Sequence, residues 1–280
     1  MKNASAKKTA PARRAGSPFV GAYLGFWLAG MYVPIVLTVL YSFNVSKITS
    51  VWGGWTLDWY AQLLGDGAIW EALRNSIVLG LSCSALAVGI GTAGALGLRD
   101  RHTPLSGAIT YLSTLPIMIP EIILGMVFLG VFSFMALPFG MLTLILGHTS
   151  FCVPYVLMMV RARLAGMDRA TEEAARDLGA GPLRTFWDVT LPAILPGILS
   201  GALLSFAMSF DDVVISIFVT GATTNTLAVK IYTKVKTGVT PEINALATLL
   251  LLATVAIVAG VALIRAKRER RTAPRGEPRR

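Results

Sequence analysis

The ionisable side chains inside long apolar runs are the first candidates for chemistry in this chain. Glu121 directly follows Pro120 within one run, and Asp211 and Asp212 stand together at the end of another. A charged residue in such a setting is costly, and it usually faces a cavity, a partner or a pathway. A structural alternative also exists: Glu121 would cap a helix broken at Pro120, and the two aspartates would cap the following segment. Both alternatives stay open from the sequence.

The chain lacks the motifs of hydrolytic enzymes. It has no Gly-rich phosphate loop ending in Lys and Ser or Thr, no His-Glu-x-x-His pair and no Gly-x-Ser-x-Gly. Cys83 and Cys152 lie in apolar runs without disulfide or metal spacing, and His148 is expected to be a hydrogen-bonded buried residue rather than a proton relay. We therefore predict no catalytic residue, no metal site and no cofactor bound by this chain.

The apolar runs themselves predict an integral membrane protein. Hydrophobic residues make up 54% of the 280 residues and charged residues 14%, whereas a soluble domain carries about 25% charged residues. One spanning helix needs about 20 mostly apolar residues. Six runs meet this requirement: Phe19–Phe43, Ser76–Leu98, Gly107–Leu137, Met141–Val160, Ala193–Phe210 and Ala245–Ile264.

The distribution of Lys and Arg predicts the orientation. The 1–18 tail, the 99–106 loop, the 161–192 loop and the 265–280 tail together hold 20 of these residues, and the opposite side holds five. Cytoplasmic segments carry the excess of positive charge. Both termini are therefore predicted to be cytoplasmic, with 1–18 disordered and 265–280 a basic tail. Since this charge marks topology, no nucleic-acid partner is predicted.

The segments between the runs carry two further signals. Residues 44–75 contain a tryptophan cluster, which indicates either contact with the membrane interface or a docking surface for an external partner. Residues 211–244 are less apolar and are expected outside, with a short re-entrant helix. Glycines such as Gly91 and Gly201 recur within the runs, where they would let helices approach closely.

The segment Arg161–Thr190 is too polar for a bilayer, since it holds five Arg and five acidic residues. Asp168 suits a helix N-cap, and Gly179 suits the left-handed position that ends a helix begun at Arg169. Pro182 suits the first position of a second helix. The sequence therefore predicts a helix, a glycine turn and a second helix that project from the membrane between residues 168 and 190.

The spacing Glu173-Ala174-Ala175-x3-Gly179-x9-Val189-x-Leu191-Pro192 resembles the signature loop of bacterial ABC importer permeases of the type I fold, with Val where Ile is usual. The resemblance implies an all-α membrane protein in which residues 19–264 form a six-helix permease domain. It also implies that the loop is a coupling helix for an ATPase. The implied coupling residues are Glu172, Glu173, Ala174, Ala175, Asp177, Gly179, Leu191 and Pro192.

Other runs are similar to the second permease subunit of spermidine/putrescine importers: Leu115–Gly125, Gly147–Cys152, Ser209–Val214 and Pro241–Thr248. The resemblance implies a multi-pass protein of the bacterial inner membrane. The implied partners are a homologous permease subunit, two copies of a cytoplasmic ABC ATPase that binds ATP and Mg²⁺, and a periplasmic or lipid-anchored solute-binding protein. Glu121, Asp211 and Asp212 then become candidates to line the path of a diamine cation.

Three alternatives to a polyamine permease stay open from the sequence. The chain would be the permease for another small solute, because related importers share the coupling loop. It would be a stand-alone channel or secondary transporter if it conducted solute without ATP. It would be a membrane anchor or scaffold if its loss caused no transport defect.

Overall fold

The fold is all-α, as predicted. A computed structural model describes residues 18–48, 51–99 and 104–272, so the predicted tail 1–18 lies outside the described residues except for Pro18, and so do residues 100–103 and 273–280. Within the described ranges the only extended pairing is an isolated bridge between Asn44 and Trp55. The helices are α1 (Pro18–Tyr41), α2 (Asp58–Gly65), α3 (Gly67–Gly97), α4 (Pro104–Met118), α5 (Glu121–Phe134), α6 (Met141–Ala165), α7 (Arg169–Asp177), α8 (Pro182–Thr185), α9 (Leu191–Asp211), α10 (Val214–Val219), α11 (Leu227–Thr237) and α12 (Pro241–Thr272).

Five helical segments among the described residues are long and apolar enough to cross a bilayer, and they agree with five of the six predicted runs. Three of them start earlier than predicted, at Gly67, Pro182 and Pro241. The last helix, α12, continues through Thr272 into the predicted basic tail. The five segments are Phe19–Tyr41, Gly67–Gly97, Met141–Ala165, Pro182–Asp211 and Pro241–Leu263.

The third predicted run, Gly107–Leu137, is divided at Pro120, the break that the sequence marked. Helices α4 and α5 meet at a bend of 109°. The cause is local: Pro120 has no backbone N–H, and it disfavours helical geometry at Ile119 before it. Pro120 has φ −54° and ψ 133°, and its carbonyl accepts the first backbone hydrogen bonds of α5. The sixth crossing exists only if this bent pair counts as one span.

The chain divides into two compact units. The first comprises the described residues between 18 and 63 and those from 239 to 272, and in it α1 packs against α12. Residues 42–48 and 51–60 of this unit fold locally around Asn44, whose carbonyl accepts a hydrogen bond from Trp59 Nε1 at 2.8 Å. Trp52 and Trp55 stack edge to face at 5.0 Å, and both are largely exposed. The predicted tryptophan cluster therefore exists as a surface feature.

The second unit, residues 64–238, has its core where α3, α6 and α9 pack against one another. Val156 of α6 is fully buried between glycines of the other two helices. A Cβ atom added at Gly91 would lie 2.8 Å from Val156 Cβ, and one added at Gly201 would lie 3.1 Å from Val156 Cα. These contacts confirm that small residues in the spans allow close helix packing.

The two ends of α3 contact different parts of this unit. Near its start, Ser76 Oγ accepts a hydrogen bond from the Leu227 backbone at 2.8 Å, which holds the beginning of α11. Just beyond its end, Arg99 bonds Glu172 in α7 at 2.8 Å. Ser76 and Arg99 are 23 positions apart, so a rise of 1.5 Å per residue separates these two contacts by roughly 35 Å. The α7 loop and the α11 segment therefore lie at opposite ends of the helix core.

Candidate functional site

Helix α7 begins and ends where the sequence predicts. Asp168 is extended, and its carboxylate accepts a hydrogen bond from the Ala170 backbone at 3.0 Å, which makes it the N-cap. Gly179 has φ +86°. Its N–H donates to the carbonyl of Arg176 and the Ala180 N–H donates to that of Ala175, the two hydrogen bonds of a Schellman motif. The glycine turn after the first helix is confirmed.

The second helix of the loop, α8, continues into the helix that contains the fifth predicted run. Pro182 occupies the first turn of α8, as predicted. One π-helical turn, Phe186–Thr190, then joins α8 to α9, so that Pro182–Asp211 is one helical segment of 30 residues. Leu191 and Pro192 stand in the first turn of α9. The helix that contains the predicted fifth span, Ala193–Phe210, therefore begins earlier, at Pro182.

Glu172 faces the interior of the loop, where it joins three segments. Its Oε1 accepts a hydrogen bond from Arg99 Nη1 at 2.8 Å and one from Thr190 Oγ1 at 2.5 Å. The side chains of Arg99 and Glu172 are each 12% exposed. Burial raises the pKa of the Glu172 carboxyl, but the hydrogen bonds from Arg99 and Thr190 and the charges of Arg99 and Arg176 outweigh it. The net effect is a pKa below the ordinary value.

Arg99 and Thr190 were missed by the sequence analysis. Arg99 stands just beyond the end of α3 and 73 positions before Glu172, so no spacing rule connects the two. The available signal was a basic residue directly after a span, on the side of the membrane where a loop rich in carboxylates is also predicted.

The outward surface of α7 carries most of the other predicted coupling residues. Glu173, Ala174 and Asp177 are exposed, and Ala175 is half-buried. Leu178, directly after the helix, is 90% exposed. Because residues four apart share a helix face, Ala174 and Leu178 form a small apolar strip beside Glu173. We call these three residues the α7 ridge. Leu178 is a further candidate site residue. It directly precedes Gly179, at one of the three positions that the signature spacing leaves unspecified.

The candidate path residues are placed differently from one another. Glu121 is the first residue of α5 and is exposed, so it stands in the first turn at the break beside Pro120. Asp211 is the exposed last residue of α9. Asp212 follows with its side chain 6% exposed, and its oxygens accept hydrogen bonds from the backbones of Ile215 and Ser216. Asp212 thus has the capping role considered from the sequence.

His148 is a buried, hydrogen-bonded residue, as predicted. Its Nδ1 lies 2.8 Å from Ser209 Oγ and its Nε2 lies 3.1 Å from Ser216 Oγ. Asp212 Oδ2 lies 3.4 Å from the same Nε2. The network joins α6, α9 and α10 across the break after Asp211. Helix α10 packs on α5 and α6, so the expected short helix within 211–244 is present.

The described residues contain no group of three or more His, Cys, Asp or Glu side chains arranged to hold a metal ion. Cys83 and Cys152 are free and buried. That the chain binds no cofactor stays a prediction.

Known proteins similar to this chain are transport proteins. It is 40% identical over 256 residues to the putrescine transport system permease protein PotI of Escherichia coli (strain K12), covering 88% of this chain and 90% of that protein. It is 35% identical over 247 residues to the spermidine/putrescine transport system permease protein PotC of the same strain, covering 87% and 92%.

A solved structure shares the fold. A chain of a bacterial ABC transporter involved in the import of the acidic polysaccharide alginate superposes with a TM-score of 0.72 at 15% sequence identity, covering 91% of this chain and 98% of that one. The family model described as "Binding-protein-dependent transport system inner membrane component" matches residues 85–273. The chain belongs to this family and is a membrane-embedded permease subunit rather than an enzyme.

Proposed function

We propose that this chain is the permease subunit of an ATP-driven importer for polyamines, with putrescine as the first solute to test and spermidine as the second. The observation that carries the proposal is the 40% identity to a putrescine permease over 88% of the chain, against 35% to a spermidine/putrescine permease. The motif runs around Glu121, Asp211 and Glu242 support the same solute class.

The proposed orientation has both termini and the α7 loop in the cytoplasm of a bacterial cell. Its support is the excess of Lys and Arg in the tails and in the loops around Arg99 and Arg161. The geometry is consistent with it, since α7 and α11 contact opposite ends of α3. Residues 19–264 would form the transmembrane domain, flanked by the tails 1–18 and 265–280.

The α7 ridge is the proposed contact with a cytoplasmic ABC ATPase that binds ATP and Mg²⁺. Leu178 is 90% exposed, and an apolar side chain at the tip of a polar loop is suited to a pocket on a partner. Ala174 beside it lets a second surface approach closely. The importer would contain two ATPase copies, one for this chain and one for a homologous permease subunit, and a periplasmic or lipid-anchored solute-binding protein would deliver the solute.

Glu121 and Asp211 are the proposed path carboxylates to test first. Both are exposed, whereas the Asp212 carboxylate is occupied by backbone N–H groups and His148. A diamine that leaves water needs carboxylate or aromatic groups to replace part of its hydration. Five or six spans in one chain are few to enclose such a path, which favours pairing with the homologous subunit.

Transport in proteoliposomes tests the function. The chain would be reconstituted with the ATPase, second permease and binding protein encoded beside its own gene, and uptake of labelled putrescine, spermidine and an unrelated amino acid would be measured with and without ATP. We expect uptake of putrescine that needs ATP and the binding protein. Uptake of another solute only, or flux through this chain alone without ATP, would contradict the proposal.

Substitution of the ridge tests the docking surface. Leu178→Asp places a charge in the apolar contact, so we expect loss of co-purification with the ATPase and loss of uptake. Arg184→Ala is the matched control, because Arg184 is also in the loop, its side chain is 78% exposed, and it pairs with Asp188 four positions further on. Co-purification of the ATPase with the Leu178→Asp variant would show that the ridge is not the contact.

A further inference from the structure

One carboxylate oxygen links the α7 loop to two helices of the core. Glu172 Oε1 is within hydrogen-bond distance of Arg99, just beyond α3, and of Thr190, directly before α9. Glu172 is in α7, and the next residue, Glu173, is exposed on the α7 ridge. The surface proposed to meet the ATPase and the contact with the spans thus involve adjacent residues.

The segments on either side of α7, residues 166–168 and 178–181, are not helical, so they are places where the backbone can bend. Helix α7 packs on α8 and on the π-helical turn of its own loop. The ion pair of Arg99 and Glu172 adds a direct side-chain contact to the end of α3.

We propose that Arg99, Glu172 and Thr190 form a tether that makes α7 move as one body with the ends of α3 and α9. Glu172 is then a positioning residue that transmits ATPase movement and does not itself contact the ATPase. The inference rests on the proposed function, since it assumes that the ATPase acts on α7. We use the name tether for these three residues below.

The burial of the ion pair explains why both partners are needed. Removal of one charge from a buried pair leaves the other without compensation, which is more damaging than loss of an exposed pair. Arg99 and Glu172 are each 12% exposed. The exposed pair of Arg184 and Asp188 in the same loop provides the contrast, with side chains 78% and 64% exposed.

The position of α7 can be measured in the purified full-length chain without any partner. Spin labels at Thr171→Cys and Gly97→Cys would report the distance between α7 and the end of α3, since both positions are exposed and the native cysteines are buried. We expect a narrow distance distribution in the parent protein and at least a twofold broader one with Glu172→Gln. An unchanged distribution would overturn the tether.

Coupling is measured in the reconstituted importer with Glu172→Gln, Arg99→Gln and Thr190→Val. We expect the ATPase to co-purify and to hydrolyse ATP, while putrescine transported per ATP falls at least fivefold for the two charge variants and about twofold for Thr190→Val, which keeps the ion pair. Arg184→Gln is the control and should behave as the parent. Loss of co-purification with Glu172→Gln would overturn the inference, because Glu172 would then be a docking residue.

The charge swap Arg99→Glu with Glu172→Arg separates pairing from two independent roles. We expect the swap to recover at least half of the coupling ratio that either single reversal removes. Absence of recovery while both single variants fail would contradict the tether. Failure of the proposed function itself would look different, because the parent importer would then show no ATP-dependent uptake while the spin-label distances still responded to Glu172→Gln.

Discussion

His148 on α6 and Asp212 beyond the end of α9 lie side by side in the protein interior, with Nε2 3.4 Å from Oδ2. Two serine hydroxyls complete the surroundings of the imidazole, and Asp212 also caps α10. A network of buried hydrogen bonds therefore connects the segments on the two sides of the helix break after Asp211. This network ties the short helix α10 to the core.

Substitution of His148 should destabilise the protein. His148→Ala leaves Ser209, Ser216 and Asp212 without their buried partner, at a cost of about 1–3 kcal/mol for each buried group left unsatisfied. We expect a clearly lower midpoint of thermal unfolding in detergent. Ser150→Ala is the control on the same helix, since Ser150 is exposed and donates a hydrogen bond to the backbone of its own helix. Equal midpoints for the two variants would show that the network adds no stability.

The glycine contacts around Val156 should make two neighbouring positions respond differently to the same change. Gly91→Ala forces α3 and α6 apart, because the new Cβ would lie 2.8 Å from Val156 Cβ, and overpacking of this kind costs about 1–3 kcal/mol. Gly89→Ala meets no atom within 4 Å and should leave stability unchanged or slightly raised. Thermal unfolding of both variants checks the prediction, and an equal effect would contradict it.

Gly179 should be intolerant of a bulky residue although space surrounds it. Its φ of +86° is strained for any side chain, while a Cβ added there would meet no atom within 4 Å. A side chain at this position should therefore destabilise the folded protein by about 1–3 kcal/mol through backbone strain alone. Gly179→Val should insert normally but lose uptake as the α7 ridge shifts. Gly181→Val is the control, because Gly181 has φ −65° and ψ 166°. Normal uptake by Gly179→Val would refute the role of this turn.

The ionised form of Glu172 should stabilise the protein in a defined pH range. Its pKa in the folded protein is below the ordinary value of 4.5, so the stabilisation is fully present above that value and is lost as the pH falls through the folded pKa. We expect the difference in unfolding free energy between the parent and Glu172→Gln to be constant from pH 7 to about 5 and to shrink at lower pH. A difference that grows on acidification would contradict this sign.

Glu121→Gln tests the path directly. If the carboxylate replaces part of the hydration of a diamine, its neutral isostere should lower putrescine uptake about tenfold. This factor corresponds to the loss of roughly 1.4 kcal/mol of stabilisation of the cation in the path. The helix cap should be little affected, so expression and unfolding should stay unchanged. Asp58→Asn, at the exposed start of α2, is a control carboxylate outside the spanning segments. Unchanged uptake would remove Glu121 from the path.

The sequence by itself determined the features that depend on residues close together in the chain. The spanning runs follow from local apolar composition, and the start and end of α7 follow from Asp168 and Gly179, which act within one turn. Pro120 likewise marked the break between α4 and α5. The signature spacing from Glu173 to Pro192 indicated the family for the same reason, since it is contained in one short segment.

Only the tertiary structure decided the features that depend on helix packing. The bend of 109° at Pro120 depends on where α5 packs against α10, and a proline specifies a break without its angle. Arg99 meets Glu172, and His148 meets Ser209 and Asp212, across separations of 61 to 73 positions. Short-range patterns do not encode such pairs, because their geometry exists only after α3, α6 and α9 have packed together.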